Sequence, residues 1–355
     1  MNLAQAAAIR LGEALPWPDR LSTAVIDCLV GQTRRRLMRS EGHSETSFLR
    51  ATASLPIAIN TAEANAQHYE IPARFFELIL GPQRKYSCCL YDGADNLAAA
   101  EEHALSVTAE HACLTDGQDI LELGCGWGSL SLWMARKFPN SRITSVSNSA
   151  SQREFIEGQA RAKGLGNLTV LTEDMNKFVP RGRFDRVVSV EMFEHLVNWR
   201  PLLMRIQAAL RDDGFLFLHI FSHKSVSYRF STEDRADWIA QHFFTGGIMP
   251  GRQLIRHFHA CFRIDAEWEW NGQHYRETAR GWLANYDRHR REILEVLEQV
   301  YGRDARLWLR RWRLFFLATM GLFGHADGKE WGVSHYRLAP ARSGAGDRTS
   351  GQETH

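Results

Sequence analysis

Asp119-Ile120-Leu121-Glu122-Leu123-Gly124-Cys125-Gly126-Trp127-Gly128-Ser129-Leu130 decides how this chain is read. An apolar run of strand character ends in glycines and passes into a helical pattern, so the glycines fall at a strand-to-helix turn. Without side chains there, backbone N–H groups at the start of the helix can approach a ligand closely. The spacing is G-x-G-x-G, whereas the dinucleotide fingerprint G-x-G-x-x-G needs glycine where this chain has Ser129. Glu122 argues the same way, because a carboxylate beneath the loop repels pyrophosphate and attracts a cation. S-adenosylmethionine, with its sulfonium and ammonium, suits Glu122 together with Gly124, Gly126 and Gly128. A glycine turn without a ligand is the alternative.

Outward from the loop, residues 116–225 alternate β-branched runs with helical ones, the pattern of parallel βαβ units. Strands are predicted at Asp119–Leu123, Arg142–Val146, Leu168–Leu171, Phe184–Val190 and Gly214–Ile220, with helices such as Leu130–Lys137 and Ser151–Lys163 between them. The second strand ends in Ser147-Asn148-Ser149 with Gln152 a turn later, so Asn148 and Gln152 are expected to hold ribose hydroxyls by neutral hydrogen bonds. Asp174, after the third strand, is placed to accept from an adenine amine, or else to cap a helix. Met175 beside it and Val190 at the end of the fourth strand complete the expected cofactor wall.

Residues 1–115 read as an N-terminal helical region covering that site. Trp17-Pro18-Asp19 opens one helix, which closes in Arg34-Arg35-Arg36, and Pro72 suits the first turn of another. Residues 226–339 hold an aromatic-rich insertion, a strand at Phe262–Trp270, two long charged helices and a last strand at Trp331–Leu338. Residues 340–355 have the composition of a solvated, disordered tail.

The chain has 355 residues, with 43 Lys and Arg against 41 Asp and Glu, a formal net charge of +2. That balance argues against a nucleic-acid partner, which usually demands a basic excess. Hydrophobic residues at 44% suit a globular chain with a real core. Six cysteines are scattered with no C-x-x-C pair and no zinc spacing, so no metal is expected and a reducing, cytoplasmic setting is. The N-terminal run, broken by Arg10 and Glu13, lacks the form of a signal peptide. The apolar stretch 314–324 is about half the ~20 residues of a membrane-spanning helix.

Five separated motifs then stand in order: Tyr86-Ser87-Cys88-Cys89, Leu123-Gly124-Cys125-Gly126-Trp127-Gly128, Glu191-Met192-Phe193-Glu194-His195, Phe243-Phe244-Thr245-Gly246-Gly247 and His274-Tyr275. Together they resemble the cyclopropane-fatty-acid-synthase family of S-adenosylmethionine-dependent methyltransferases, over roughly residues 60–338. The resemblance implies an α/β class I methyltransferase fold, a Rossmann-like, mostly parallel seven-stranded sheet with N-terminal helices and a helical, aromatic-rich lid. It implies that Tyr86 and Ser87 close over the methionine part of the cofactor. Within the family the chain looks most like the coclaurine-type N-methyltransferases, which carry Glu191 where cyclopropane synthases typically carry glycine.

Glu191, Glu194 and His195 follow the fourth strand, at the sheet edge where open α/β folds bind ligands. If the segment is helical, all three share one face. An amine must lose a proton before it can be methylated, and a carboxylate pair can attract the ammonium while Glu or His takes the proton. The alternative is a satisfied buried pair that orders the loop. The rival chemistry is methylation of an alkene, as in cyclopropane synthases. There the resemblance implies a bound bicarbonate held by the positions of Cys88, Glu194, His219 and Tyr275; in the N-methyltransferases similar residues line the substrate pocket. His219 reads equally as a core histidine. Tyr228, Phe230, Trp238, Phe243, Phe244, Trp282 and Tyr286 are expected to form the lid, where aromatic faces attract a cation or simply pack. The basic segment 306–313 is a lid helix or, alternatively, a peripheral membrane contact. The reading is an N-methyltransferase of a small amine, with a lipid-acting synthase and a catalytically inactive binding protein as alternatives.

Overall fold

The computed structural model describes residues 13, 17–39, 44–59, 71–230 and 238–341. Seven strands form one sheet: β1 (Asp119–Leu123), β2 (Arg142–Ser147), β3 (Leu168–Thr172), β4 (Phe184–Val190), β5 (Leu210–His223), β6 (Phe262–Trp270) and β7 (Trp331–Pro340). Their order is 3-2-1-4-5-7-6, with β7 antiparallel to both neighbours and the other pairings parallel. The order reverses beside β1, so the crevice for a ligand opens at the carboxyl ends of β1 and its neighbours.

Side-chain alternation explains why the sheet is buried on both faces. Leu121, Leu123 and Val187 pack with Trp199, Leu202 and Ile206 of helix α7 (Trp199–Ala209). Ile120, Val188 and Phe217 face the other way, against helices α4 (Leu97–His111) and α5 (Ser129–Lys137). Helix α6 (Ala150–Ala162) follows β2, with Ser149 accepting the Gln152 N–H as its cap.

A second body of helices stands over the carboxyl edge. It comprises α1 (Asp19–Arg39), α2 (Glu45–Thr52), α3 (Ala73–Ile79), a short α8 (Trp238–His242), α9 (Gly272–Arg288), α10 (Arg290–Tyr301) and α11 (Ala305–Gly324). Its core is aromatic, with Phe75, Trp282, Tyr286, Trp312 and Phe316 buried together.

Several boundaries differ from the sequence reading. Where two charged helices were expected after β6 there are three, because His289 leaves helical geometry and its Nδ1 bonds the Leu78 carbonyl at 2.9 Å. Pro72 stands at the N-cap of α3 rather than inside its first turn. Pro340, assigned to the tail, is the last residue of β7, and the Ala341 N–H donates to Cys261 O at 2.8 Å. Residues 342–355, the rest of that tail, lie outside the described residues, as do 231–237 of the insertion. Among the described residues no helix is long and apolar enough to cross a membrane. In the basic stretch of α11, Arg306 is exposed, whereas Arg311 pairs with Glu13 at 2.8 Å and Arg313 with both Asp19 and Asp287.

Candidate active site

The glycine loop connects β1 to α5. Gly124 has φ +82, and a Cβ there would lie 2.5 Å from the Met192 side chain, so loop and β4 segment approach through the missing atom. Gly126, at φ +51, has no protein atom within 4 Å of its would-be Cβ and borders open cavity, which suits close approach of a ligand. Gly128 is the left-handed N-cap of α5 and packs on Ile156 instead of lining the cavity.

One cavity of about 380 Å³ runs from this loop to the helical body. Tyr86, Ser87, Glu122, Asn148, Gln152 and Asp174 lie on its wall, with Met175 and Val190. The Ser147 hydroxyl donates to Gln152 Oε1 at 2.7 Å, which leaves the amide N–H groups of Gln152 as its donors for a ligand. Asp174 accepts the Asn176 N–H at 2.9 Å, and Asn176 clamps the backbone of Ala58 across the mouth. Glu122 is buried, its Oε2 accepting from Ser131 and Ser145, and burial raises its pKa. Ser129 Oγ is buried on the same wall with no partner among the described residues, an orphaned donor facing the loop. A glycine turn over open space, neutral donors at the second strand and an unused hydroxyl fit S-adenosylmethionine.

At the other end the expected trio separates. Only Phe193–His195 turns helical, and as a short 3-10 turn. Glu191 precedes it at φ +48, a left-handed conformation that costs a non-glycine residue about 1–3 kcal/mol. The three side chains therefore share no helical face, which corrects the sequence reading. The Glu191 carboxylate lines the cavity and meets three groups: Cys88 N–H donates to Oε1 at 2.9 Å, Tyr275 O–H donates to Oε2 at 2.6 Å, and His219 Nε2 lies 3.2 Å from Oε1. Burial raises its pKa, opposed by the nearby Lys85 ammonium and by two of these bonds. His195 is on the wall, stacked on Phe244 at 4.3 Å. Glu194 is sealed behind, accepting Phe221 N–H at 2.6 Å, with Oε2 unpartnered among the described residues. Burial and then Glu191 push its pKa well up, which favours the neutral acid.

This arrangement does not fit bicarbonate. Cys88, His219 and Tyr275, three of the four groups that were to cradle the ion, are occupied by the Glu191 carboxylate. Cys88 and His219 line no part of the cavity; burial pushes the Cys88 thiol well up and the His219 imidazole well down, so both are neutral. Of the lid aromatics, Phe244 and Trp282 reach the cavity, whereas Phe243 stacks on Phe315 and Tyr286 bonds Leu309 O as core.

Sequence reasoning missed Lys85 and Ser129. Lys85 is 2% exposed and donates to Ser87 Oγ at 2.6 Å and Cys88 O at 2.7 Å, fixing the segment that presents the Cys88 N–H. A lysine directly before Tyr86-Ser87-Cys88-Cys89 was the available signal. For Ser129 it was the hydroxyl standing where a sixth-position glycine was sought.

A family model described as mycolic acid cyclopropane synthetase matches residues 58–323. (S)-Coclaurine N-methyltransferase of Thalictrum flavum subsp. glaucum is 34% identical over 287 residues, covering 79% of this chain and 80% of that enzyme. The cyclopropane-fatty-acyl-phospholipid synthase of Escherichia coli K12 is 29% identical over 270 residues, 75% of this chain and 66% of that enzyme. The crystal structure of coclaurine N-methyltransferase bound to N-methylheliamine and SAH matches with a TM-score of 0.87 and 30% identity, covering 94% of this chain and 99% of that one. With the glycine loop and the strand order behind these matches, the chain belongs to the mycolic acid cyclopropane synthetase family of S-adenosylmethionine-dependent methyltransferases, on the side that holds the coclaurine N-methyltransferases.

Proposed function

We propose that this enzyme methylates the nitrogen of a small amine with an apolar, ring-bearing body, and that Glu191 receives the ammonium and takes its proton. One observation carries the reading: the Glu191 carboxylate stands on the cavity wall, ordered by Cys88, His219 and Tyr275. A carboxylate has about four acceptor sites, two on each oxygen, and Tyr275 takes one at Oε2, which leaves the other for a substrate N–H. Its raised pKa brings it towards the range where it can take a proton from an ammonium. S-adenosylmethionine, when bound, supplies an electrophilic methyl group. Phe244 and Trp282 offer aromatic faces to the cationic partner, worth about 0.5–2 kcal/mol each. His195 stands on the same wall, stacked on Phe244.

The test is transfer of radiolabelled methyl in parallel reactions. One holds primary and cyclic secondary amines, tetrahydroisoquinoline among them, and the other holds vesicles of unsaturated phospholipid. Label in the amine fraction, strongly reduced by Glu191→Gln, is the expected result. Label found only in lipid overturns the reading in favour of a lipid-acting synthase, and binding of the cofactor with no transfer anywhere points to an inactive binding protein.

A further inference from the structure

Glu191 is the inner end of a chain of imidazoles. His219 Nε2 lies 3.2 Å from Glu191 Oε1, His219 Nδ1 lies 2.8 Å from His335 Nε2, and His335 Nδ1 lies 2.9 Å from His111 Nδ1. The antiparallel register of β5 and β7 sets His219 opposite His335, and His111 is the last residue of α4. His219 and His335 are fully buried, whereas His111 is only partly covered. Aromatic rings sheathe the chain: Trp270 packs on His335 at 4.3 Å, and Trp268 stacks on His111 at 3.7 Å and 6°.

Both nitrogens of His219 and of His335 are used in line, so a proton entering at one nitrogen can leave from the other. Burial and the cations around the chain favour neutral rings, opposed at His111 by Glu110. Lys85 faces His219 and His335 from the Tyr86 segment, and Arg337 and Glu110 flank His111. Burial, with these cations, holds all three imidazoles below their ordinary value.

We propose that His219, His335 and His111 form a proton wire joining the Glu191 carboxylate to solvent at His111 Nε2. The inference rests on Glu191 as the base. Methylating an ammonium with a sulfonium yields a methylated ammonium, a neutral thioether and one proton, which Glu191 receives. Glu191 passes it to His219 Nε2, His219 Nδ1–H passes to His335 Nε2, His335 Nδ1–H passes to His111 Nδ1, and His111 Nε2–H is lost to water. One proton enters, one leaves, and each ring stays neutral in its other tautomer. Once product has left, a proton taken up from water at His111 Nε2 drives the reverse shifts, and pocket water accepts the proton that reaches Glu191, which resets the wire. The wire lets a closed site discharge its proton without opening to water.

The experiment follows proton and methyl together in one turnover of the full chain, with tetrahydroisoquinoline and S-adenosylmethionine in weakly buffered phenol red. His111→Phe keeps the stack on Trp268 and removes the nitrogens; His335→Gln keeps a hydrogen-bonding group that cannot relay. In wild type the proton appears in step with methyl transfer. In either variant it lags at least tenfold, with KM for the amine and affinity for S-adenosylhomocysteine within twofold. Added imidazole restores the rate in His111→Ala. Protons released in step at the wild-type rate by a folded His111→Phe overturn the wire, leaving Glu191 as base untouched. A wild type that labels no amine removes the proposed function, and the wire with it.

Discussion

The two ends of the cavity are built differently. The core of the cofactor end is local: residues 122–130 form the end of one strand, one glycine loop and the start of one helix. The acceptor end is assembled from segments as distant as Lys85, Glu191, Phe244, Tyr275 and Thr319, and burial raises the pKa of its Glu191, Glu194 and Tyr275. The half that binds a shared cofactor therefore depends on spacing along the chain, while the half that selects an acceptor depends on how the helical body seats on the sheet.

If the two ends are separable, Glu191→Gln strikes only one. Methyl transfer to the amine should fall about 10²–10⁴-fold, the range for loss of a general base, while S-adenosylhomocysteine affinity by calorimetry stays within twofold. A parallel loss of affinity would mean the ends act as one unit. Gly124→Ala is the converse blow and the next largest. Its Cβ would meet Met192 at 2.5 Å in a left-handed backbone, so a loss of about 2–4 kcal/mol in stability is expected on chemical unfolding. Because Met192 neighbours Glu191, this variant should also weaken catalysis beyond its loss of cofactor binding. Gly124 is one place where the ends touch.

The same contrast explains what could be read in advance. Strand periodicity and the G-x-G-x-G turn placed β1–β5 to within a few residues, because a parallel sheet buried on both faces imposes its pattern on every strand. Glu191, Glu194 and His195 were legible as a group but not in their arrangement, since nothing in the motif announces that residue 191 is left-handed. That single torsion turns Glu191 towards Cys88, His219 and Tyr275, where a helical Glu191 would have stayed with its neighbours. Lys85 and the His219–His335 contact arise from tertiary packing alone and leave no spacing to find.

A smaller effect separates Glu194 from Glu191 within the acceptor end. Burial raises the folded-state pKa of Glu194 well above its ordinary 4.5, so the folded chain binds that proton more tightly than the unfolded one. Its contribution to stability is whole below pH 4.5 and is lost as pH rises towards the raised value. Glu194→Gln, which keeps an oxygen for the Phe221 N–H, should remove this slope. Its melting temperature should gain on wild type progressively above pH 4.5, as read by thermal unfolding across pH 4.5–9. A gap that stays constant with pH would show Glu194 to be ionised, and the acceptor end to carry two charges.

The smallest effect tests the cofactor end where its sequence departs from the dinucleotide pattern. Ser129 Oγ lies buried on the cavity wall without a partner among the described residues, so its unmet hydrogen bond weakens the free protein slightly. If a bound cofactor supplies the partner, the hydroxyl stabilises only the complex. Ser129→Ala should then leave the ligand-free melting temperature unchanged or slightly higher. Its affinity for S-adenosylhomocysteine should fall about fivefold, the ~1 kcal/mol of one neutral hydrogen bond. Calorimetric titration and thermal unfolding of the same preparation read both. Equal affinity in the two proteins would assign the loop's grip to backbone and glycine alone, and the contrast between a backbone-built and a side-chain-built end would become sharper still.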